Sequence, residues 1–190
     1  MLFRSDKLDG ALAAFAPAGL DVRAMACADI GASTGGFSDC LLQRGAARVF
    51  AVDVGRAQLA QKLRADPRVT VMEGTNARAL GAADFPCPID LVAVDASFIG
   101  LGALAAALAA IARPGGHLVA LIKPQFEAGR DAARAGRGVI RDEATRLGAI
   151  AAARAALENV GFHIVAESDS ALRGPKGNLE RFVWATRAAS

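Results

Sequence analysis

The sequence contains few aromatic residues. Its 190 residues include nine Phe, one Trp and no Tyr. Proteins that hold single-stranded nucleic acid by stacking depend on aromatic rings exposed along one surface. The composition therefore disfavours a surface built from many stacking rings.

Cysteine is scarce as well. The three cysteines, Cys27, Cys40 and Cys87, are odd in number, and their spacing matches no metal site. This pattern is typical of reduced thiols in a cytoplasmic protein, which is the location we expect.

Long apolar runs are absent too. The longest, from Leu101 to Ala112, is too short to span a bilayer. A shorter run at 11–18 follows Asp6 and Asp9, which disfavour a signal peptide.

Hydrophobic residues make up 53% of the chain, which excludes disorder, and the length fits one domain over 1–190.

What the sequence does contain is an alternation of strand-like and helical patterns. The predicted strands cover 24–30, 48–54, 69–73, 90–95, 116–123, 163–168 and 179–186. The predicted helices cover 6–15, with Ser5 as N-cap, and 36–44, 56–65, 101–112 and 142–160. Such alternation predicts an α/β fold whose parallel sheet has helices on both faces.

The last two predicted strands are joined by a short, non-helical segment. A parallel crossover needs about a dozen residues or more, so these two strands must be antiparallel. A mostly parallel seven-stranded sheet with one antiparallel strand near its edge is typical of Rossmann-like class I methyltransferases.

A glycine-rich loop follows the first predicted strand, where doubly wound sheets bind their ligands. It reads Asp29-Ile30-Gly31-Ala32-Ser33-Thr34-Gly35-Gly36-Phe37. Asp53 ends the next strand, at the spacing expected for a carboxylate that binds ribose hydroxyls. The pattern predicts a nucleotide-like ligand, although a glycine turn in an unrelated α/β protein is an alternative.

The order of the glycines favours S-adenosylmethionine over a dinucleotide. Dinucleotide enzymes place pyrophosphate on a G-x-G-x-x-G loop, whereas the glycines here are Gly31, Gly35 and Gly36. An acid at Asp29 suits a cationic ligand and would repel pyrophosphate. The predicted cofactor contacts are Asp29, Gly31, Ala32, Ser33, Thr34, Gly35, Gly36, Phe37, Asp53, Val54, Asn76 and Asp95. For Asn76 an adenine contact and a helix cap are equally good interpretations.

Several further motifs resemble the TlyA family, often labelled hemolysin A, which is related to the FtsJ ribose methyltransferases. They are Ala51-Val52-Asp53-Val54-Gly55, Val94-Asp95-Ala96-Ser97-Phe98-Ile99, Leu121-Ile122-Lys123-Pro124-Gln125-Phe126-Glu127-Ala128-Gly129-Arg130 and Gly174-Pro175-Lys176-Gly177-Asn178-Leu179-Glu180. Together with the glycine loop, they extend the resemblance over nearly the whole chain, from about Lys7 to Trp184.

The resemblance implies 2′-O-methylation of ribose in ribosomal RNA. The family's Lys-Asp-Lys-Glu catalytic set carries over to Lys7, Asp95, Lys123 and Glu180. Around Lys7 the match is weaker, because Arg4-Ser5-Asp6 stands where the family has a Ser-Arg-Gly-Gly-like stretch.

The chemistry of this set is consistent with that role. A ribose hydroxyl is a weak nucleophile whose proton must leave as it attacks a sulfonium methyl. A lysine can take the proton when burial or a second cation favours its neutral form. We expect Lys123 to do this beside Lys7, with Asp95 orienting Lys123 and the methyl donor, and Glu180 holding Lys7. Taken singly, each residue is better explained as a solvated group or a cap, and only the joint pattern favours catalysis.

Basic residues follow the candidate base. Arg130, Arg134, Arg137 and Arg141 lie in a glycine-rich stretch, and Arg173 and Lys176 precede Glu180. We expect them to contact RNA phosphates, although a solvated charged loop is the alternative. The net charge of +3 permits such a partner without requiring one.

One departure from the family leaves alternatives open. TlyA proteins usually carry a small N-terminal RNA-binding domain, whereas this sequence starts almost at Lys7, on the expected N-terminal helical segment 1–20. Either the sequence is a domain fragment or the module is absent. A methyltransferase for a small molecule, a non-catalytic cofactor-binding protein and a dehydrogenase remain alternative functions.

Overall fold

The computed structural model describes residues 2–128, 138–174 and 176–189. The strands are β1 (Ala26–Ile30), β2 (Arg48–Asp53), β3 (Val69–Glu73), β4 (Ile89–Val94), β5 (Ala112–Ile122), β6 (Phe162–Asp169) and β7 (Arg181–Arg187). The α-helices are α1 (Leu2–Phe15), α2 (Gly36–Gln43), α3 (Gln61–Arg64), α4 (Ala105–Ile111), α5 (Pro124–Glu127) and α6 (Glu143–Glu158).

The strands form one seven-stranded sheet in the order β3-β2-β1-β4-β5-β7-β6. Strands β1 to β5 are paired in parallel, and β7 is antiparallel to both of its neighbours, β5 and β6. The mostly parallel sheet with one reversed strand near its edge is therefore confirmed.

Alternate strand residues face two separate apolar layers. One layer packs Ile30 and Val94 against α4 and α6, and includes Leu108 and Leu157. The other packs Cys27 and Phe182 against α1 and α2, and includes residues such as Leu8 and Phe37. Because both faces are covered, the carboxyl ends of the parallel strands are where a cleft can open.

Three predicted helices differ from the observed ones. The predicted helix 56–65 shrinks to α3, because the Glu73 carboxylate takes the backbone N–H groups of Ala57, Gln58 and Leu59. The predicted helix 101–112 divides into a 3-10 turn, Leu101–Ala103, and α4. The predicted N-cap at Ser5 is wrong, because α1 already begins at Leu2. No helix in the described ranges is long and apolar enough to cross a membrane.

The three cysteines carry free thiols, as expected from their spacing. Burial raises the pKa of Cys27 and of Cys40 to about 12. Both thiols therefore stay protonated near neutral pH and act as apolar core groups.

The reversed strand β7 is predicted to be a major source of stability. Phe182 is fully buried, and its ring lies 6.0 Å from that of Phe37. Phe182→Ala should lower the free energy of unfolding by about 3–5 kcal/mol, because it leaves a cavity in a packed layer. Denaturant titration measures this, with Val165→Ala on β6, which is 44% exposed, as the matched control. Equal losses for the two variants would contradict the prediction.

Candidate active site

A cleft of about 500 Å³ opens at the carboxyl ends of β1, β2 and β4. Its walls come from the glycine loop, the ends of β2 and β3, and the segment after β4. The predicted cofactor residues that line it are Gly31, Ser33, Asp53, Val54, Asn76 and Asp95. The volume lies within the range of small-molecule sites, which is about 300–1,000 Å³.

Gly31 lets the glycine-rich loop after β1 approach the end of β4. Its φ is +86°, and a Cβ there would lie 2.7 Å from the backbone oxygen of Asp95. The backbone N–H of Asp95 in turn donates to the carbonyl of Ile30 at 3.0 Å. A side chain at position 31 would force the two loops apart, so the site requires glycine there.

Asp53 joins the loops after β1 and β2. Its carboxylate accepts the backbone N–H of Ser33 at 2.8 Å and that of Gly55 at 2.7 Å. A carboxylate has about four acceptor positions, so Asp53 retains capacity for ribose hydroxyls in the cleft.

Glu73, at the end of β3, organises the neighbouring loop. Besides the three N–H groups at 57–59, its carboxylate accepts from the Arg64 guanidinium at 2.5 Å. The Arg64 hydrogen bond and the backbone donors lower the pKa of Glu73 to about 2. The carboxylate therefore stays ionised, and it fixes the loop that brings Gln58 to the cleft.

Asp29, the first residue of the glycine-rich motif, is buried beneath the loop and does not line the cleft. It is fully buried, and its Oδ2 accepts from the backbone N–H of Ser38 at 2.8 Å and from its hydroxyl at 2.6 Å. These two hydrogen bonds hold the first turn of α2 against the end of β1. Asp29, Ala32, Thr34, Gly35, Gly36 and Phe37 lie outside the cleft lining. Their contact with a cofactor stays a prediction.

Asn76 fits both of its interpretations. Its side-chain oxygen caps the 3-10 turn Ala77–Ala79 by accepting the backbone N–H of Arg78 at 3.1 Å. The residue also lines the cleft. Val54, 77% exposed, offers an apolar surface on the same wall.

Lys123 and Asp95 form a buried ion pair at the cleft wall. The distance from Lys123 Nζ to Asp95 Oδ1 is 2.5 Å, and Lys123 is 7% exposed. The same ammonium donates to the hydroxyl of Ser97 at 2.9 Å. Because Asp95 and Ser97 both line the cleft, the head group of Lys123 lies beside it.

A second buried ion pair joins Lys7 to Glu180. Lys7 Nζ donates to Glu180 Oε2 at 2.6 Å, and Glu180 is 1% exposed. The side-chain amide of Gln125 donates to the other carboxylate oxygen at 3.3 Å. Gly174 makes room for this carboxylate, since a Cβ there would lie 2.5 Å from Glu180 Oε1.

The reversed strand explains why the two pairs are neighbours. In the β5–β7 register Ile122 lies opposite Arg181, so Lys123 and Glu180 are the next residues on the two facing strands. The side chain of Gln125, two residues after Lys123, contacts Glu180. The structure therefore brings together all four members of the predicted catalytic set.

Four further residues at the site were not predicted individually. Ser97 and Gln125 contact the predicted set, and the rings of Phe98 and Phe126 lie 5.4 Å apart. The motifs contained these residues, but their types alone do not signal a role. Phe98 is 91% exposed and lines the cleft with a φ of +67°, a conformation that is rare for a bulky residue.

The basic residues are only partly described. Arg130, Arg134 and Arg137 lie outside the described residues. Arg141, Arg173 and Lys176 are exposed. The buried side chain of Asn178 ties their segments together, because it donates to the carbonyl of Gly138 at 2.8 Å and accepts from the N–H of Ile140 at 2.9 Å. Arg141, Arg173 and Lys176 therefore lie around the turn that leads to Glu180.

The sequence family model of the FtsJ-like methyltransferases matches residues 5–187. The chain belongs to the FtsJ-like methyltransferase family. It is 47% identical to the 16S/23S rRNA (cytidine-2′-O)-methyltransferase TlyA of Mycobacterium tuberculosis, over 94% of this chain and 65% of that protein. It is 42% identical to hemolysin A of Brachyspira hyodysenteriae, over 88% of this chain and 70% of that protein. The chain thus spans just under two thirds of the mycobacterial relative.

Solved structures agree with the family and the fold. A hemolysin-labelled protein of Streptococcus thermophilus superimposes with a TM-score of 0.92 at 41% identity, covering 98% of this chain and 66% of that one. The magnesium protoporphyrin IX methyltransferase of Synechocystis superimposes with a TM-score of 0.66 at 19% identity, over 97% and 83% of the two chains. The second likeness concerns the fold, which is that of class I methyltransferases.

The Glu73 carboxylate is predicted to stabilise the fold in a pH-dependent way. Its pKa is lowered from 4.5 to about 2 on folding, so its contribution is complete above pH 4.5 and is lost as the pH falls towards 2. Glu73→Gln should lower the melting temperature at pH 7, and the deficit should shrink below pH 4.5. Calorimetry from pH 7 to pH 3 tests this, with the exposed Glu158→Gln as control. A deficit independent of pH would contradict the assignment.

Proposed function

We propose that this chain transfers a methyl group from S-adenosylmethionine to a ribose 2′-hydroxyl of RNA, with ribosomal RNA as the substrate. The observation that carries the proposal is the buried Lys123–Asp95 pair at the cleft wall, with the Lys7–Glu180 pair beside it. The family of the chain and the activity named for its mycobacterial relative support the same reaction.

The cleft fits adenosylmethionine in volume and in chemistry. Asp53 would hold the ribose hydroxyls, and Val54 and Asn76 would border the adenine. The close approach at Gly31 leaves a cradle that a Cβ would fill. Bound adenosylmethionine supplies an electrophilic methyl group on a sulfonium, which becomes a neutral thioether once the methyl has left.

In this proposal Lys123 is the base. Its ammonium first releases a proton to solvent, and the amine then takes the proton of the 2′-hydroxyl while that oxygen forms its bond to the methyl carbon. The resulting ammonium is stabilised by Asp95 at 2.5 Å. A positioned base of this kind contributes about 10²–10⁴-fold to a rate.

Lys7 supplies a second positive charge to the buried site. Glu180 holds it at 2.6 Å, and Gln125 fixes the other oxygen of Glu180. In this proposal the ammonium of Lys7 stabilises negative charge on the attacking oxygen. The two lysines therefore have different tasks, one as base and one as fixed cation.

The surroundings of the cleft suit a nucleic acid. Exposed Arg141, Arg173 and Lys176 lie around the turn before Glu180, where phosphates would find cationic partners. The exposed ring of Phe98 is a surface on which a base can stack. A ribosomal RNA substrate implies action in the cytoplasm, on a ribosomal subunit or its RNA.

The central prediction concerns Lys123. Lys123→Ala should reduce methyl transfer by at least about 100-fold, because the base is lost, while adenosylmethionine binding remains close to normal. Lys123→Arg should be equally inactive, because a guanidinium keeps the positive charge beside Asp95 but cannot lose its proton. Transfer of labelled methyl to ribosomal RNA from cells lacking the gene measures the rate, and calorimetry measures cofactor binding.

Lys62→Ala serves as the matched control, because Lys62 is an exposed lysine paired with Asp39 on α2. Normal RNA methylation by Lys123→Ala or Lys123→Arg would refute the assignment of the base. Mass mapping of the labelled RNA locates the product, and the absence of 2′-O-methyl nucleotides would refute the proposed reaction itself.

Binding of RNA gives a separate test. The affinity should fall steeply with salt, because phosphate contacts release counterions. Replacing Arg173 and Lys176 together by alanine should reduce the slope of log affinity against log salt concentration. The reduction should correspond to the loss of up to about two phosphate contacts. Fluorescence titration between low and moderate salt measures the slope. A salt-independent affinity would favour a small-molecule substrate instead.

A further inference from the structure

The head group of Lys123 has two oxygen partners in the described part of the chain. One is the carboxylate of Asp95 at 2.5 Å, and the other is the hydroxyl of Ser97 at 2.9 Å. The ring centroid of Phe126 is 6.0 Å from the nitrogen, at the outer limit of a cation–π contact. Ser97 is thus the second polar group that fixes the direction of the lysine head.

Two acceptors are the number that a lysine base requires. A neutral amine has two N–H bonds and one lone pair, arranged tetrahedrally around nitrogen with the carbon stem. When Asp95 and Ser97 each accept one N–H, the lone pair is left with a single direction. With Asp95 alone, the amine can rotate about its Cε–Nζ bond, and the lone pair has more than one direction.

We propose that Ser97 is a positioning residue that fixes the lone pair of Lys123 towards the attacking hydroxyl. The inference rests on the proposed function, because it assigns Lys123 the role of base. It extends the Lys-Asp-Lys-Glu set by a fifth side chain, which acts through Lys123 and need not contact the substrate.

The segment that carries Ser97 is held in place by residues that come shortly after Lys123 in the chain. The backbone N–H of Leu101 donates to Glu127 Oε1 at 2.7 Å, and the rings of Phe98 and Phe126 pack in a tilted arrangement with their centroids 5.4 Å apart. Phe126 and Glu127 lie three and four residues after Lys123, on α5. Three contacts therefore join 97–101 to 123–127, so that the serine hydroxyl and the lysine keep a constant separation.

The backbone next to Ser97 is strained, which indicates that contacts with the rest of the structure determine the position of this segment. Phe98, the residue after Ser97, has a φ of +67°. Such a conformation is unfavourable in a non-glycine residue and persists where the surroundings determine it. Here the packing of Phe98 against Phe126 and the Leu101–Glu127 hydrogen bond hold the segment in that conformation.

The test compares Ser97→Ala with Ser97→Thr. Ser97→Ala removes the hydroxyl with little change in volume, and Ser97→Thr keeps it. Ser97→Ala should lower kcat for RNA methylation about tenfold, the effect of one lost hydrogen bond to a charged group, with KM for RNA and cofactor unchanged. Ser97→Thr should recover kcat to within about threefold. Ser168→Ala, on β6, is the matched control.

A second readout needs no activity. In substrate-free protein the buried Lys123 ammonium should give a protected ¹H–¹⁵N signal, identified by its loss in Lys123→Arg. In Ser97→Ala the protons of that ammonium should exchange with solvent at least about tenfold faster, whereas Ser97→Thr should retain the protection. A merely structural serine would change thermal stability without changing this signal selectively.

The outcomes separate the two proposals. An unchanged ammonium signal in Ser97→Ala overturns the role of Ser97, whether or not the enzyme is active. A changed signal with an unchanged kcat also overturns it, because positioning would then have no effect on the reaction. If the unmodified protein methylates no RNA at all, the proposed function fails, while the ammonium signal still decides whether Ser97 holds Lys123.

Discussion

The burial of two ammonium groups is the constraint on which this site depends. Moving a single charge into a protein interior costs several kcal/mol, and removing one partner of a buried pair costs about 3–5 kcal/mol. Lys7 and Lys123 are 4% and 7% exposed, so each requires its carboxylate. The four side chains come from α1, β4, β5 and β7 or the residues next to them. The fold must therefore bring two distant segments together for each lysine, and four to bury both.

The antiparallel strand is what makes this possible. In the sheet order, β7 lies between β5 and β6 and runs against both. Its first residue therefore lies at the same sheet edge as the last residues of β5, and Glu180 comes level with Lys123. A parallel strand in this position would place its carboxyl end there, and the turn that precedes β7, with Gly174 and Asn178, would lie at the opposite edge.

Much of the fold followed from periodicity, because apolar strands with both faces buried are read directly from sequence. The boundaries of β3 were predicted as observed, and those of β2 differed by one residue. The prediction for 56–65 was wrong, since no local signal reveals that Glu73 takes three N–H groups of that segment. The motifs located the four charged residues, but the roles of Ser97 and Gln125 depend on side-chain directions, which spacing does not encode.

The carboxylates at this edge serve two different needs. Asp29, Asp53 and Glu73, at the ends of β1, β2 and β3, all accept backbone N–H groups of neighbouring segments. Asp95 and Glu180, towards β5 and β7, are instead paired with lysines. Of these, Asp53 and Asp95 line the cleft, one holding the loops after β1 and β2 and the other paired with Lys123. Gly31 joins them, because its missing side chain lets the loop after β1 contact the backbone of Asp95. The close approach of the loops after β1 and β4 is therefore set by one glycine.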